Sequence, residues 1–452
     1  MNRQALDLAR DAARIGPGRT IQDGASIMAK KAERPRRFNP LTSLGPGLIT
    51  GAADDDPSGI ATYSQAGAQF GLNMLWTVVL TYPFMMVFQS ICARIGRVTG
   101  KGLAANIRVS FSPRMANAVV LLLLIANILN IAADVASMGE AAQLVFGGGR
   151  HLFTIGLAVG SLLLQVFVPY HLYVRYLKWL TLALFAYVAV AFTVHVPWGE
   201  VLHHTVLPHL TLDRSAATVI VAVFGTTISP YLFFWQSSEE VEDLKAHRGA
   251  HPLKDAPREA PAELKRIGWD TYAGMAYSNG IAFFIILSTA VTLHAAGVTN
   301  IQTAAQAASA LRPVAGELAF ALFALGIVAT GLLAVPTLAG SAAYALSEAR
   351  GWRAGLEKKL GDAPGFYAVI GLAIAAGVAL DFSPIDPIKA LFWSAVVNGV
   401  IAVPLMVVIM LLAMRKKVMG QFTATPIQRL LGWMATAVMA AASIAMFVLM
   451  LP

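Results

Sequence analysis

The sequence predicts an all-α membrane protein with many spans, and three observations support this fold class. They are scarce charge, long uncharged stretches, and a one-sided distribution of Lys and Arg. Of the 452 residues, 57% are hydrophobic and only 13% are charged, whereas soluble domains carry about 25% charged residues. Half of the usual charge over such a length indicates a chain that is mostly embedded in lipid.

A helix that crosses a bilayer needs roughly 20 predominantly apolar residues, and the sequence contains eleven stretches of this kind. The predicted spans cover residues 46–68, 73–93, 115–145, 151–170, 177–197, 215–243, 271–296, 318–347, 363–380, 387–413 and 429–451. We therefore expect one transmembrane domain over residues 44–451, preceded by a cytoplasmic tail of residues 1–43.

The distribution of cationic residues predicts the orientation, because Lys and Arg are enriched in cytoplasmic loops. With the N-terminus placed in the cytoplasm, 30 of the 34 Lys and Arg residues fall in the tail or in loops on that side. The exceptions are Arg150, Arg214, Arg312 and Lys389. The net charge of +9 thus indicates topology and not binding to nucleic acid. The predicted location is the bacterial inner membrane, with a cytoplasmic N-terminus and the C-terminus outside.

The middle of span 1 contains a sequence that a regular membrane helix cannot accommodate, Asp-Asp-Asp-Pro-Ser-Gly over residues 54–59. Proline has no N–H and clashes with the preceding turn, and it disfavours helical geometry at the residue before it. A carboxylate at mid-membrane costs at least about 2.5–3.5 kcal/mol. We therefore predict that Pro57 breaks the helix and that the aspartates face water, a cation or protons.

Span 6 contains a second break, Gly-Thr-Thr-Ile-Ser-Pro-Tyr over residues 225–231, with Pro230 in mid-span. Interrupted helices at corresponding positions of two halves are typical of inverted-repeat transporters, which bind substrate near the bilayer midplane. Because the breaks lie five spans apart, we predict two repeats of five spans, at about 44–198 and 213–414. A peripheral helix would follow at about 428–451.

Several short motifs occur in the first three predicted spans: Gly45-Pro46-Gly47, Asp56-Pro57, Ala66-Gly67-Ala68, Gln89-Ser90, Ala93-Arg94-Ile95-Gly96, Val98-Thr99-Gly100 and Ala133-Asp134. These motifs resemble the Nramp family of divalent-metal transporters. The resemblance covers most of residues 44–240 and, more weakly, spans 7–10. It implies an eleven-helix, LeuT-like fold with a 5+5 inverted repeat, in which discontinuous helices 1 and 6 enclose a metal site.

Two departures from the family pattern bear on the metal. A typical helix 1 reads Asp-Pro-Gly-Asn, and here Gly59 replaces the Asn ligand. A typical helix 6 reads Met-Pro-His, and here Ser229 and Tyr231 replace the thioether and the histidine. This combination resembles the Nramp-related magnesium transporter branch. The resemblance and the chemistry together predict Asp56, Gly59, Thr226 and Ser229 as metal-site residues.

The chemistry of these replacements favours a hard cation. Thioether sulfur suits softer metals, whereas carboxylate, carbonyl and water suit Mg²⁺ and Mn²⁺. Mg²⁺ usually keeps several waters, and we expect Gly59 and Ser229 to widen the site and leave room for them. Tyrosine has an ordinary pKa of about 10, so Tyr231 is not expected to carry protons near neutral pH as histidine does.

Other polar residues inside the spans are candidates for the ion pathway, because intramembrane acids are functional candidates by default. This set contains Asp54, Asp55, Tyr231, Asp134, Glu140, Asn130 and Asn398. The three consecutive aspartates project at roughly 100° steps around a helix, so they cannot all face one pocket. Hydrogen bonding between helices is the alternative role for each member of the set.

The sequence thus predicts a secondary transporter that moves hydrated Mg²⁺, with Mn²⁺ as second choice, by alternating access and without proton coupling. The alternatives are a proton-coupled Mn²⁺/Fe²⁺ symporter of the Nramp type, a LeuT-fold carrier of an organic solute, and a channel. No HExxH or GxSxG motif supports an enzyme, and no GxxxxGK[ST] loop supports nucleotide binding. The predicted partners are the transported cation and the lipid bilayer, with no cofactor.

Overall fold

The computed structural model describes residues 46–451 apart from 170–171, 173–176, 178, 180, 209–212 and 248. Within this part of the chain all regular structure is helical, as the sequence predicts. The predicted tail of residues 1–43 lies outside the described residues.

Fifteen helices of at least eight residues occur in the described part. In chain order they are α1 (Pro46–Asp54), α2 (Pro57–Phe70), α3 (Leu75–Thr99), α4 (Leu103–Ser110), α5 (Pro113–Phe146), α6 (Arg150–Phe167), α7 (Phe185–Thr193), α8 (Trp198–Val206), α9 (Arg214–Thr227), α10 (Pro230–Ala246), α11 (Ala260–Thr289), α12 (Ala319–Arg350), α13 (Pro364–Asp381), α14 (Pro387–Ala413) and α15 (Pro426–Met450).

The number of spans differs from the predicted eleven. By length and composition, nine helical stretches of the described residues could cross a membrane, or ten if α7 and α8, bent by 119° at their junction, count together. The first predicted span is interrupted after Asp54, and its first segment, α1, has only nine residues, too few to cross a membrane alone. A single 3₁₀ turn, Gly71–Met74, joins α2 to α3, so these two helices form one long apolar stretch. The count of eleven is therefore not confirmed.

Helix α11 begins eleven residues before the predicted start of span 7. Pro261 lies in its first turn, where the missing N–H of proline costs nothing because the donor has no helical partner there. The first turns of α11 contain charged side chains, and these form ion pairs with residues of α3 and α10. Arg97 contacts Glu263 at 3.1 Å, and Arg266 contacts Glu240 at 2.6 Å.

The two halves of the chain pack into each other, with α5 near the centre. Helix α5 packs against α12, α13 and α14, and α9 packs against α14. Helix α1, from the first half, packs against α11, from the second. This interleaving brings the broken helices of the two halves together.

Hydrogen bonds and close backbone packing hold α1 against α11. The Asp270 carboxylate accepts hydrogen bonds from the N–H groups of Gly47 at 2.7 Å and Leu48 at 3.1 Å, so it satisfies donors that every helix start leaves free. Further along, Gly51 lies directly against the Gly274 backbone, with no room for a Cβ atom. The short first segment of the broken helix therefore has a fixed position.

Candidate functional site

The first break lies where the sequence predicts it. Helix α1 ends at Asp54 and α2 begins at Pro57. Asp56 is extended, with φ −72° and ψ 169°, and its Oδ1 accepts a hydrogen bond of 2.7 Å from the Gly59 N–H. Asp56 is therefore the N-cap of α2, a position that aspartate favours, and Pro57 takes the first helical position that suits proline.

The second break also forms as predicted, between α9 and α10. Ser229 is extended, with φ −74° and ψ 128°, and Pro230 begins α10. The Ser229 hydroxyl lies 2.6 Å from the Thr226 carbonyl oxygen and 3.1 Å from that of Gly225. It therefore donates to carbonyl groups that the break leaves without helical partners.

The two breaks contact each other. The Tyr231 hydroxyl donates to the Ala53 carbonyl oxygen at 3.1 Å and lies 3.4 Å from Asp56 Oδ2. The Ser58 and Thr226 hydroxyl oxygens are 3.5 Å apart. The tertiary structure thus brings the predicted residues of span 1 and span 6 to one place, where the donor atoms are oxygens.

The side chains at the site are buried from solvent. Asp56, Thr226, Ser229 and Tyr231 are each only 1% exposed. A cavity of about 560 Å³ lies between α4, α10 and α12, and none of the predicted site residues lines it. Within the described residues, no group of three or more His, Cys, Asp and Glu side chains could hold a metal ion. A bound cation would therefore depend on hydroxyl, carbonyl or water oxygens in addition to carboxylates.

Gly59 lies close to atoms of both breaks, and the widening of the site by this glycine stays a prediction. A Cβ atom at this position would lie 3.3 Å from Thr226 Oγ1, 3.3 Å from Tyr63 Cε2 and 3.4 Å from Asp56 Oδ1. The absence of a side chain at residue 59 lets α2 approach α9 closely.

Asp54 and Asp55 face a different neighbour from Asp56. The Ser278 hydroxyl, in α11, lies 2.5 Å from Asp54 Oδ2 and 3.1 Å from Asp55 Oδ1. The prediction that the three aspartates cannot share one pocket agrees with this arrangement. Asp54 and Asp55 join α1 to α11, whereas Asp56 lies between the two breaks.

The amides of the polar stripe of α5 join this helix to its neighbours. Asn127 donates to the Leu338 carbonyl oxygen at 2.8 Å, and Asn130 and Asn398 exchange hydrogen bonds of 2.8 and 3.1 Å. These amides join α5 to α12 and α14, which is the alternative role considered for them. Asp134, one turn further along, is fully buried like the two amides.

Glu140 does not join the residues at the breaks. Its Oε1 accepts a hydrogen bond of 3.2 Å from the Ala304 N–H, and its charged neighbours are Arg150 and Asp386. Both neighbours belong to loops that the charge distribution predicts to lie outside. Glu140 thus lies two helical turns from Asp134, toward the predicted outer face.

Sequence reasoning missed four side chains that shape this region: Ser58, Tyr63, Thr227 and Ser278. Tyr63 and Thr227 join α2 to α9 through a hydrogen bond of 2.9 Å. Ser58 and Thr227 lie inside the two break motifs, so their position in the sequence could have indicated them. Ser278 lies in an uncharged apolar span and carries no signal of this kind.

Comparison with known proteins identifies the family. The sequence profile described as Nramp, natural resistance-associated macrophage protein-like, matches residues 47–449. The divalent metal cation transporter MntH of Acidiphilium cryptum is 28% identical over 400 residues, covering 83% of this chain and 87% of the relative. The MntH protein of Yersinia pestis is 30% identical over 321 residues, covering 68% of this chain and 74% of the relative.

Solved structures show the same fold. A manganese transporter of Eremococcus coleocola, in complex with an aromatic bis-isothiourea compound, superposes with a TM-score of 0.72 at 17% identity, over 91% of this chain and 87% of that one. Mhp1, a nucleobase-cation-symport-1 family transporter, gives 0.55 at 12% identity, over 90% and 92%. The predicted LeuT-like fold and the expectation of a transporter instead of an enzyme are confirmed. From the extent of the profile match, the chain belongs to the Nramp family.

Proposed function

We propose that this chain is a secondary transporter that moves a hard divalent cation through the space between its two helix breaks. The observation that carries this proposal is the convergence of the breaks around oxygen donors that are closed off from solvent. The Asp56 carboxylate, the Ser58 and Thr226 hydroxyls and the Tyr231 hydroxyl all meet there. Carboxylate, hydroxyl and carbonyl oxygens suit Mn²⁺ and Mg²⁺ better than softer metals.

Manganese is the first candidate cargo. The relatives with known names are divalent metal cation transporters, and the solved structure described above is a manganese transporter. Mn²⁺ accepts the all-oxygen donor set of this site. Magnesium is the second candidate, because Ser229 stands where a thioether would favour softer metals and because Mg²⁺ is held by few carboxylates.

Alternating access would require the closed site to open toward one side at a time. Asp56, Gly59, Thr226 and Ser229 would surround the cation in the closed state. Opening to the predicted cytoplasmic side would release the contacts of α1 with α11 and α10, such as those of Asp270. The absence of a histidine at residue 231 leads us to propose that protons do not have to accompany the cation.

The test is uptake by the purified full chain in liposomes, with internal pH recorded in the same vesicles. We expect Mn²⁺ to enter, Mg²⁺ to enter or to compete with Mn²⁺, and internal pH to stay constant. Vesicles with Ser288→Ala serve as a control, because this hydroxyl bonds only to carbonyl groups of its own helix. Failure of both cations to enter would overturn the proposal, and acidification would favour the proton-coupled symporter.

A further inference from the structure

Tyr63 lies on α2, close to the first break, and is almost completely buried. Its side chain is 1% exposed and is among the largest fully buried side chains of the described residues. A buried tyrosine hydroxyl usually has a hydrogen-bond partner, and here the partner is the Thr227 hydroxyl, at 2.9 Å. Tyr63 therefore joins the helix that begins at the first break, α2, to the helix that ends at the second, α9.

The direction of this hydrogen bond follows from the second contact of Thr227. The Thr227 Oγ1 atom lies 2.7 Å from the Val223 carbonyl oxygen in the preceding turn of α9. A carbonyl oxygen can only accept, and a hydroxyl has one proton, so Thr227 donates to Val223 and accepts from Tyr63. The single proton of the Tyr63 hydroxyl is therefore used by α9.

The Tyr63 ring also lies beside residues of the proposed metal site. Gly59 is one turn before Tyr63 on the same face of α2. A Cβ atom at Gly59 would lie 3.3 Å from Tyr63 Cε2, 3.3 Å from Thr226 Oγ1 and 3.4 Å from Asp56 Oδ1. The edge of the ring, the Thr226 hydroxyl and the Asp56 carboxylate therefore surround one point next to Gly59.

Thr226 and Thr227 are the last two residues of α9, and they make different contacts. The Thr226 hydroxyl oxygen lies 3.5 Å from that of Ser58, and its carbonyl oxygen accepts from Ser229 at 2.6 Å. The end of a helix has carbonyl groups without helical partners, so the ladder of α9 does not hold this turn completely. The hydrogen bond from Tyr63 to Thr227 adds a contact at the last residue, next to the oxygens of Thr226.

We propose that Tyr63 is a positioning residue for cation binding, whose hydroxyl holds the end of α9 so that the Thr226 oxygens stay next to Asp56. This inference rests on the proposed function and adds a residue that does not itself bind the cation. Tyr63 acts through Thr227, because that bond uses the proton of its hydroxyl. Loss of the bond should therefore reduce the affinity for the cation.

The experiment compares Tyr63→Phe with Tyr367→Phe in the purified full chain. Both changes remove the hydroxyl of a buried tyrosine and keep its ring, and the Tyr367 hydroxyl donates to the Lys358 carbonyl oxygen at 2.6 Å, away from the breaks. We expect Tyr63→Phe to weaken binding of Mn²⁺ and Mg²⁺, measured by calorimetry, by about fivefold, as for the loss of one ordinary hydrogen bond. The KM for Mn²⁺ uptake should rise by a similar factor. Tyr367→Phe should bind both cations with unchanged affinity.

Thermal unfolding of the same two variants separates positioning from stability. Each variant loses one buried hydrogen bond, so both should unfold at a somewhat lower temperature than the unaltered chain. Only Tyr63→Phe should also lose affinity for the cations. Lower stability of Tyr63→Phe with unchanged affinity for both cations would overturn the inference.

A double variant tests whether Tyr63 acts through Thr227. Thr227→Val removes the other hydroxyl of the pair and should weaken Mn²⁺ binding by about the same factor. The double variant Tyr63→Phe/Thr227→Val should bind Mn²⁺ no more weakly than either single variant, because residues that act through one contact are not additive. Two losses that multiply in the double variant would contradict the assigned route.

Two further outcomes are distinguishable. If Tyr63→Phe binds Mn²⁺ and Mg²⁺ like the unaltered chain and changes only the maximal rate of uptake, Tyr63 controls the movement of α2 and α9, and the inference is wrong. If the unaltered chain takes up neither cation, the proposed function itself fails. Uptake by the unaltered chain with normal metal binding by the variant overturns only the role of Tyr63.

Discussion

At the first break, the side chain before the proline forms a hydrogen bond with the helix that follows. At the second break, the side chain before the proline forms hydrogen bonds with the helix that precedes it. Asp56 accepts from the Gly59 N–H and caps α2. Ser229 makes no cap bond to α10 and turns its hydroxyl toward the carbonyls of Gly225 and Thr226 in α9. The same proline geometry therefore leaves different backbone groups free on the two sides of the site.

The charge of the two breaks differs as well. Three aspartates lie at the first break, while the second offers hydroxyl and carbonyl oxygens. The first break can therefore supply the attraction for a cation, and the second can supply neutral donors that distinguish one cation from another. We expect changes at the first break to alter transport most, and changes at the second to alter selectivity.

The largest effect is expected from the charge at the first break. Asp56→Ala removes both the carboxylate and the cap, and Asp56→Asn keeps an oxygen that can accept from the Gly59 N–H. Uptake of Mn²⁺ should fall by about 30-fold or more in both variants. Only Asp56→Ala should also lose stability, by about 1 kcal/mol, as measured by unfolding. Normal uptake by Asp56→Asn would show that the charge is not required.

The next effect tests the close packing that holds α1. Gly51→Ala places a methyl group against the Gly274 backbone, and such overpacking costs typically 1–3 kcal/mol. Thermal unfolding should show the loss. The matched control is Gly280→Ala, also a helical glycine, whose Cβ would meet no atom within 4 Å. Equal stability of the two variants would mean that α1 is not held by this contact.

A change of selectivity is expected at the second break. Ser229→Met introduces a thioether, which should raise the affinity for Cd²⁺ relative to Mg²⁺ on the order of tenfold. The variant also loses the hydroxyl that serves Gly225 and Thr226, so the uptake rate should fall. Ser229→Ala loses the same hydroxyl without adding sulfur and should not gain Cd²⁺ affinity. Competition of Cd²⁺ and Mg²⁺ for Mn²⁺ uptake measures the difference.

The smallest effect concerns Asp213, which caps the start of α9, the helix that leads to the second break. The Ala216 N–H donates to it at 2.8 Å and holds the pKa of this exposed carboxyl below its usual value. The stabilisation is thus present above the pKa of the unfolded chain and is lost as the pH falls through the lower pKa of the folded state. Asp213→Ala should cost about 0.5 kcal/mol at neutral pH, the low end for a cap.

A matched variant isolates the pH dependence of this cap. Asp213→Asn keeps a capping oxygen and removes the titration, so its stability should not change with pH through this group. Unfolding at neutral pH and at about pH 3, below the ordinary aspartate pKa of about 3.9, compares the two variants. An unchanged pH dependence in Asp213→Asn would contradict the assigned role.

The helix breaks and most of the fold could be predicted because their causes are local. Pro57 and Pro230 interrupt their helices through their own covalent structure, and a cap such as Asp56 acts within three residues. The start of α11 could not be placed from hydropathy, since its first turns are charged. Arg266 is accommodated there only because Glu240 and Glu263 lie within 2.6 and 3.0 Å.

By itself, the sequence determined that the chain is helical and apolar, where two of its helices break, and which oxygens lie at those breaks. Only the tertiary structure decided which acids face the site. Ser278 binds Asp54 from 224 residues away in the chain, and Asn398 binds Asn130 from 268 residues away. A side chain's role inside a membrane depends on the polar group that meets it, and that group belongs to a distant helix whose position only packing determines.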